Sequence, residues 1–399
     1  MTQFYEYSKP LDSGEFPATF PLTPRPTTDG MLSAIHPKIR IENIEYSGPS
    51  RLIFGWDEYL REQVVLKVLV EESEPRYNLF NIERRQKAQS YAFYQNSRIT
   101  PDVYLGVVPV GPDLNCLSPG GTIELGSINQ NPELENLYKA FEYGILMRRL
   151  PDDLQLIKWL KQGPQSLRPY NVKLVATRIA HMHQEMEPPP FLEDNTQNWG
   201  SCEQLRKKLR DNIQFADQKL AERPAYQEIA ESLKKMLLDL SECPFYQERF
   251  ERRRRNGYIK CCHGDLKTQN IWIIPDDSFG NERWRDVKIL DAIDFNPVYS
   301  NIDILSDFAM LVVDVQAQTD ARIADEMVKK YLELTNQEND EARFILNYYL
   351  IEKALVSATT RSVKEDLPEP DLVFLDVARG YLYKLRQYTR QFKSVEIRV

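Results

Sequence analysis

The stretch that decides the fold is "IKCCHGDLKTQN" at 259–270, read together with "IWII" at 271–274, "PDDSFGNERW" at 275–284 and "DVKILD" at 286–291. Twelve positions hold two Cys, a His, an Asp, two Lys and an Asn, in a chain with only five Cys and four His. On residue type alone the stretch is open to a metal held by thiols, a Cys nucleophile beside a His, or a carboxylate aimed at a hydroxyl. Cys261 and Cys262 are adjacent, and neighbouring strand residues point to opposite faces, so the pair cannot easily chelate one ion. No C-x-x-C occurs anywhere in the chain, although zinc sites usually need one or its His equivalent. Adjacency in sequence is also not the geometry of a thiolate–imidazole pair. The two cysteines read as the packed end of a strand that runs into a polar turn.

For His263, Asp265 and Asn270, the segments on their C-terminal side decide. Two short apolar runs around a turn of Pro, Asp, Ser, Gly and Asn make a hairpin. In an antiparallel hairpin the start of the first strand lies beside the end of the second, which predicts Asn270 and Asp291 at one open end, with Asp265 on the loop before it. An amide oxygen and a carboxylate form a partial oxygen shell of the kind Mg²⁺ accepts. A further carboxylate five residues before the Asn can take a proton from an attacking hydroxyl. These are parts of a phosphoryl-transfer site, and "HGDLKTQN" fits the kinase loop pattern H-R-D-L-x-x-x-N with Gly in place of Arg.

The rest of the chain sets limits. With 399 residues, 42% hydrophobic and 28% charged, it is ordinary for a soluble protein and long for one core. A net charge of −8 argues against general nucleic-acid binding, which needs a basic surface. Odd, irregularly spaced Cys suit a reducing compartment, the N-terminus does not read as a signal peptide, and no apolar run approaches the ~20 residues of a membrane span. The expected location is cytoplasmic, with no membrane and no nucleic-acid partner. Residues 1–37 read as an extended Pro- and Thr-rich arm. Residues 38–150 read as a strand-rich lobe with one helix near 81–97, and 151–399 as a helical lobe interrupted by strands between 258 and 294.

The loop, together with "ERRQKAQSYAFYQNSRITPDVYLGVVPV", "FEYGILMRRLPDD" and "DAIDFNPVYSNIDILSDFAMLVVDV", resembles the aminoglycoside phosphotransferase-like, protein-kinase-like superfamily over about residues 50 to 360. It is most similar to the kinase-like half of bacterial bifunctional aminoglycoside phosphotransferase/ATP-binding proteins. No G-x-x-x-x-G-K-[ST] is present, so the chain resembles that half standing alone. The resemblance implies an α+β, bilobal kinase-like fold, with a small antiparallel β-rich N-lobe and a larger helical C-lobe.

It also implies an ATP- and Mg²⁺-dependent small-molecule kinase whose acceptor is a hydroxyl. By position, Asp265 would be the catalytic base, His263 would brace its loop and Lys267 would reach the γ-phosphate. Asn270 and Asp291 would hold the metal, with Asp294 a neighbouring candidate. Lys67 in "VVLKVLV" would grip the α- and β-phosphates, and the backbone of Leu146, Met147 and Arg148 would meet adenine. The usual Glu partner of such a Lys lies on the next helix. Here Glu83 opens that helix and Ala92 stands where the family often has Glu, which favours as the alternative a catalytically weak nucleotide-binding, pseudokinase-like protein.

No A-P-E segment comes after Asp291, which argues against a protein kinase. "YSGPSR" is the nearest candidate for a glycine loop. Asp307, Glu365, Asp366 and Glu369 are candidates to face a cationic acceptor. His181 and His183 are expected to pack inside, and Arg252 to Arg255 to form a solvated run.

Overall fold

The computed structural model describes residues 36–47, 50–70, 79, 81–112, 114, 117–126, 141–189, 199–275, 282–293, 297–360 and 369–396. Residues 1–35 of the N-terminal arm, Gly48 and Pro49 of the candidate glycine loop, Asp294, Glu365 and Asp366 lie outside the described residues. The chain divides into two compact units, Met1–Asp152 with Ile289–Tyr299, and Asp153–Lys288 with Ser300–Val399.

In the first unit, alternating and β-branched runs form strands β1 (Lys38–Ser47), β2 (Ser50–Asp57), β3 (Glu62–Leu69), β4 (Tyr104–Val110), β5 (Thr122–Glu124) and β6 (Glu142–Arg148). They lie in the order β4-β6-β3-β2-β1-β5, each pair antiparallel. Ile39, Ile41, Ile53, Val64, Leu66, Val68 and Leu146 belong to one buried cluster on this sheet. Close packing of β1 on β2 needs Gly55, because a Cβ there would fall 2.3 Å from the carbonyl oxygen of Arg40. Helix α1 (Ile82–Ile99) is capped by Asn81, whose side chain accepts from the Arg84 amide, and it packs on β4 and β6. β3 runs between β2 and β6, so Lys67 stands on an interior strand rather than at an edge.

The second unit is mainly helical, and the expected succession of antiparallel sheet and then helices is the one the chain adopts. Its helices are α2 (Leu156–Gln162), α3 (Arg168–Glu185), α4 (Cys202–Leu220), α5 (Pro224–Glu242), α6 (Pro244–Arg255), α7 (Ile304–Gln318), α8 (Ala321–Leu334), α9 (Asp340–Thr360) and α10 (Pro370–Glu396). Short strands β7 (Ile259–Cys261) and β10 (Asn301–Asp303) pair with each other, and β8 (Ile271–Ile273) pairs with β9 (Val287–Ile289) as the hairpin pattern requires. α7 is the central element. Ile304, Leu305, Phe308, Leu311, Val312, Val313 and Val315 are all buried on it, and a helix apolar on every side belongs inside a core.

One expectation on this unit is corrected. Within Arg252 to Arg255, Arg253 is buried and grips Asp303 with two hydrogen bonds, Nε at 2.5 Å and Nη2 at 2.8 Å, while Nη1 donates to Gln337 at 2.8 Å. Helical periodicity explains it, since four consecutive arginines span more than one turn and one must face inward. A fork of donors matched to a carboxylate makes that tolerable. The other three meet Glu248, Glu251 and Glu341 at the surface.

Candidate active site

The loop from His263 to Asn270 leaves β7 and enters β8, and its side chains form one cluster. Asp265 Oδ2 receives Lys267 Nζ at 2.5 Å and lies 3.4 Å from Asn270 Nδ2. Asn270 Nδ2 also donates to the Asp265 carbonyl oxygen at 3.0 Å, so its amide hydrogens turn toward Asp265. Nδ1 of His263, fully buried, accepts from the Asp265 amide at 3.2 Å. Asp265 and Lys267 remain about a quarter exposed, which leaves them open to a ligand. Among the described residues no donor reaches Asp265 Oδ1.

Two carboxylates of α7 underlie this loop. Asp307 Oδ1 accepts from the Gly264 amide at 2.8 Å, and Oδ2 from the His263 amide at 3.1 Å. Asp314 Oδ2 accepts from both the amide and the hydroxyl of Thr268, each at 2.7 Å. Gly264 has φ +86°, a left-handed conformation that a side chain resists, which gives a local reason for Gly where the kinase pattern has Arg. Gln155 adds a further tie, Nε2 donating to the Gln269 carbonyl at 2.6 Å.

Asp307 also accepts from His183 Nε2 at 3.0 Å, while His183 Nδ1 meets the Tyr331 hydroxyl at 2.6 Å. A carboxylate only accepts, so His183 Nε2 carries its hydrogen toward Asp307. Burial alone would raise the Asp307 carboxyl. The hydrogen bond and charge of His183, with His263 and the Gly264 amide, outweigh it and hold the group below its ordinary value. Asp307 is therefore not a residue facing a cationic acceptor: it is buried and committed to the loop and His183, which corrects the expectation.

Ligand atoms of His183, Cys262 and Asp307 lie within 4.8 Å of one another. Hydrogen bonds already engage both His nitrogens and both Asp oxygens, and the Cys262 thiol donates to the Ile302 carbonyl at 3.5 Å. Burial, then the Asp307 charge, pushes that thiol well above its ordinary range, and a protonated thiol is a poor ligand. The cluster is a hydrogen-bond chain.

In the first unit, Lys67 Nζ and Asp291 Oδ1 form an ion pair at 2.8 Å, with the Lys side chain 12% exposed and the Asp side chain 53%. Asp291 is a non-glycine residue at φ +63°, a conformation that marks a constrained position. Tyr104 Oη accepts its amide at 3.0 Å, and Asn96 Oδ1 accepts the next, Ala292, at 2.9 Å. The carboxylate placed on Lys67 is thus Asp291. Glu83 is exposed in the first turn of α1, where its charge complements the helix dipole, and Ala92 is buried.

Leu146, Met147 and Arg148 end β6. Leu146 and Met147 are paired on both sides, to β3 and β4, and the Arg148 amide donates to Val103. Arg148 Nε also pairs with Glu62 at 2.9 Å.

Sequence reasoning missed Asp314 and His183 as supports of the loop. One signal was present. α7 reads "ILSDFAMLVVDVQAQ", and two Asp seven residues apart in an otherwise apolar helix need buried partners. Asn270, its amide hydrogens turned to Asp265, and Asp291, through its carboxylate, each carry a hard oxygen of the kind Mg²⁺ accepts.

No protein-family model matches this chain, and no curated protein matches it in sequence. Its structural neighbours are aminoglycoside phosphotransferases and small-molecule kinases of low sequence identity. An ethanolamine kinase of Plasmodium vivax is 13% identical, with TM-score 0.43, covering 86% of this chain and 81% of that one. An ADP-bound aminoglycoside phosphotransferase, APH(2'')-Ib, is 13% identical, with TM-score 0.40 and coverage of 88% and 94%. A microcompartment-associated aminopropanol kinase is 12% identical, with TM-score 0.37 and coverage of 89% and 93%. Among the described residues no helix is long and apolar enough to cross a membrane.

Proposed function

We propose that this protein transfers the γ-phosphoryl group of ATP to a hydroxyl of a small molecule. The observation that carries the reading is the cluster of Asp265, Lys267 and Asn270. It combines a carboxylate with one unengaged oxygen, an ammonium 2.5 Å from the other, and an amide whose hydrogens are already spent. Asp265 accepts the proton of the attacking hydroxyl, a step worth roughly 10²–10⁴-fold when the base is well placed. Lys267 offsets charge on the transferring group, and its contact with Asp265 aims that carboxylate. Asn270 and Asp291 are the residues to hold Mg²⁺, which when bound would neutralise phosphate charge. Lys67 takes the α- and β-phosphates, and the end of β6 at Leu146 to Arg148 receives the adenine. Catalysis of this kind is mainly positioning and charge stabilisation, which suits side chains fixed on a braced loop.

A second reading, a nucleotide-binding protein that transfers phosphate poorly, is favoured by one observation. The Lys67 amine is held by Asp291, the same carboxylate assigned to the metal, and no Glu stands at the middle of α1. Measuring ATP binding and slow Mg²⁺-dependent hydrolysis, in wild type and in Asp265→Ala, separates the two. The transferase reading expects binding retained and turnover reduced by about 10²-fold or more. Unchanged turnover in the variant sinks the base assignment, and binding without turnover in wild type selects the second reading.

A further inference from the structure

Asp307 and Asp314 stand seven residues apart on α7, close to two full turns, so they face the same side of the helix about 10 Å apart along its axis. They hold different ends of the loop. Asp307 takes the amides of His263 and Gly264, which lead into Asp265. Asp314 takes Thr268, the first residue of the single 3₁₀ turn Thr268–Asn270 that ends on the amide side chain. Both Asp314 and Thr268 are fully buried. One oxygen of Asp314 receives the Thr268 amide and hydroxyl together, which fixes both the backbone entry to the turn and the side-chain rotamer. The turn closes with the Asn270 amide donating to the Lys267 carbonyl at 2.9 Å.

We infer that Asp314 is a positioning residue acting through Thr268, setting the orientation of Asn270 as a metal ligand independently of the Asp307 support beneath Asp265. The inference rests on the metal role proposed for Asn270. A buried carboxylate is costly, and a passive tie between helix and loop needs only a neutral acceptor. A charged acceptor shared by two donors gives shorter, stiffer bonds, which matters where a ligand must be held to a fraction of an ångström. Outer partners of this kind, when removed, typically lower metal affinity by about 10- to 100-fold.

The test uses the full chain with ATP and titrates Mn²⁺, reading free Mn²⁺ by its paramagnetic resonance signal. Wild type is compared with Thr268→Val, Thr268→Ser and Asp314→Asn. Thr268→Val removes one hydroxyl without changing shape, and circular dichroism confirms its fold even if Asp314→Asn proves unstable. The expected result is Mn²⁺ affinity about 10-fold weaker in Thr268→Val and restored in Thr268→Ser. Wild-type Mn²⁺ affinity in a folded Thr268→Val, with only a lower melting temperature, overturns the inference and leaves the phosphotransferase reading standing. Absence of ATP-dependent Mn²⁺ binding in wild type overturns both.

Discussion

In the second unit the candidate loop rests on carboxylates with no exposure, each accepting two or three hydrogen bonds from the loop or its neighbours. In the first unit Lys67 and Asp291 meet as an ion pair whose Asp side chain is more than half exposed. The first arrangement is part of the core and cannot change without disturbing it. The second is a partly exposed ion pair, of a kind that contributes little to stability. The candidate loop is therefore fixed by the core around it, whereas the Lys67–Asp291 pair meets solvent on its Asp side.

The contrast is most easily broken at Asp307. Asp307→Ala leaves the His263 and Gly264 amides and His183 without their acceptor, and is expected to cost about 3–5 kcal/mol in urea unfolding. Because the Asp307 carboxyl is held below its ordinary value of 3.8, its stabilisation is complete above that pH and lost as pH falls below it. The variant should lack that acid limb. A cost under 1 kcal/mol would mean the loop is held elsewhere.

An intermediate effect is expected at Lys353, buried on α9 beside the Glu352–Lys208 pair, whose atoms lie 3.4 Å apart. Burial, then the Lys208 charge, brings its amine down from 10.5 to about 8. The unfolded chain therefore binds a proton between these values that the folded chain does not. The penalty is full below about pH 8 and relieved as pH rises toward 10.5. Lys353→Met should be more stable than wild type at pH 7 by on the order of 1–3 kcal/mol, the gap closing by pH 10. A destabilised variant at pH 7 would show that Lys353 is a paired member of the core. The smallest effect is expected for Asp291→Asn and Lys67→Met, each under about 1 kcal/mol in thermal unfolding while ATP binding weakens. A larger stability loss would erase the distinction between the units.

Much of this was legible in the sequence because it is local. The strands around Lys67, the helix after them, and the hairpin of "IWII" and "VKI" come from side-chain periodicity and turn residues, which act over a few positions. The spacing of His263, Asp265, Lys267 and Asn270 is likewise local, and an eight-residue loop keeps such side chains together wherever it lies. What holds that loop was not legible. Asp307 and Asp314 reach it across 44 and 46 positions, Arg253 finds Asp303 across 50, and Lys67 finds Asp291 across 224. A buried charge announces in sequence only that it needs a partner. Which partner it gets depends on which elements the core brings alongside, and that was decided by tertiary packing.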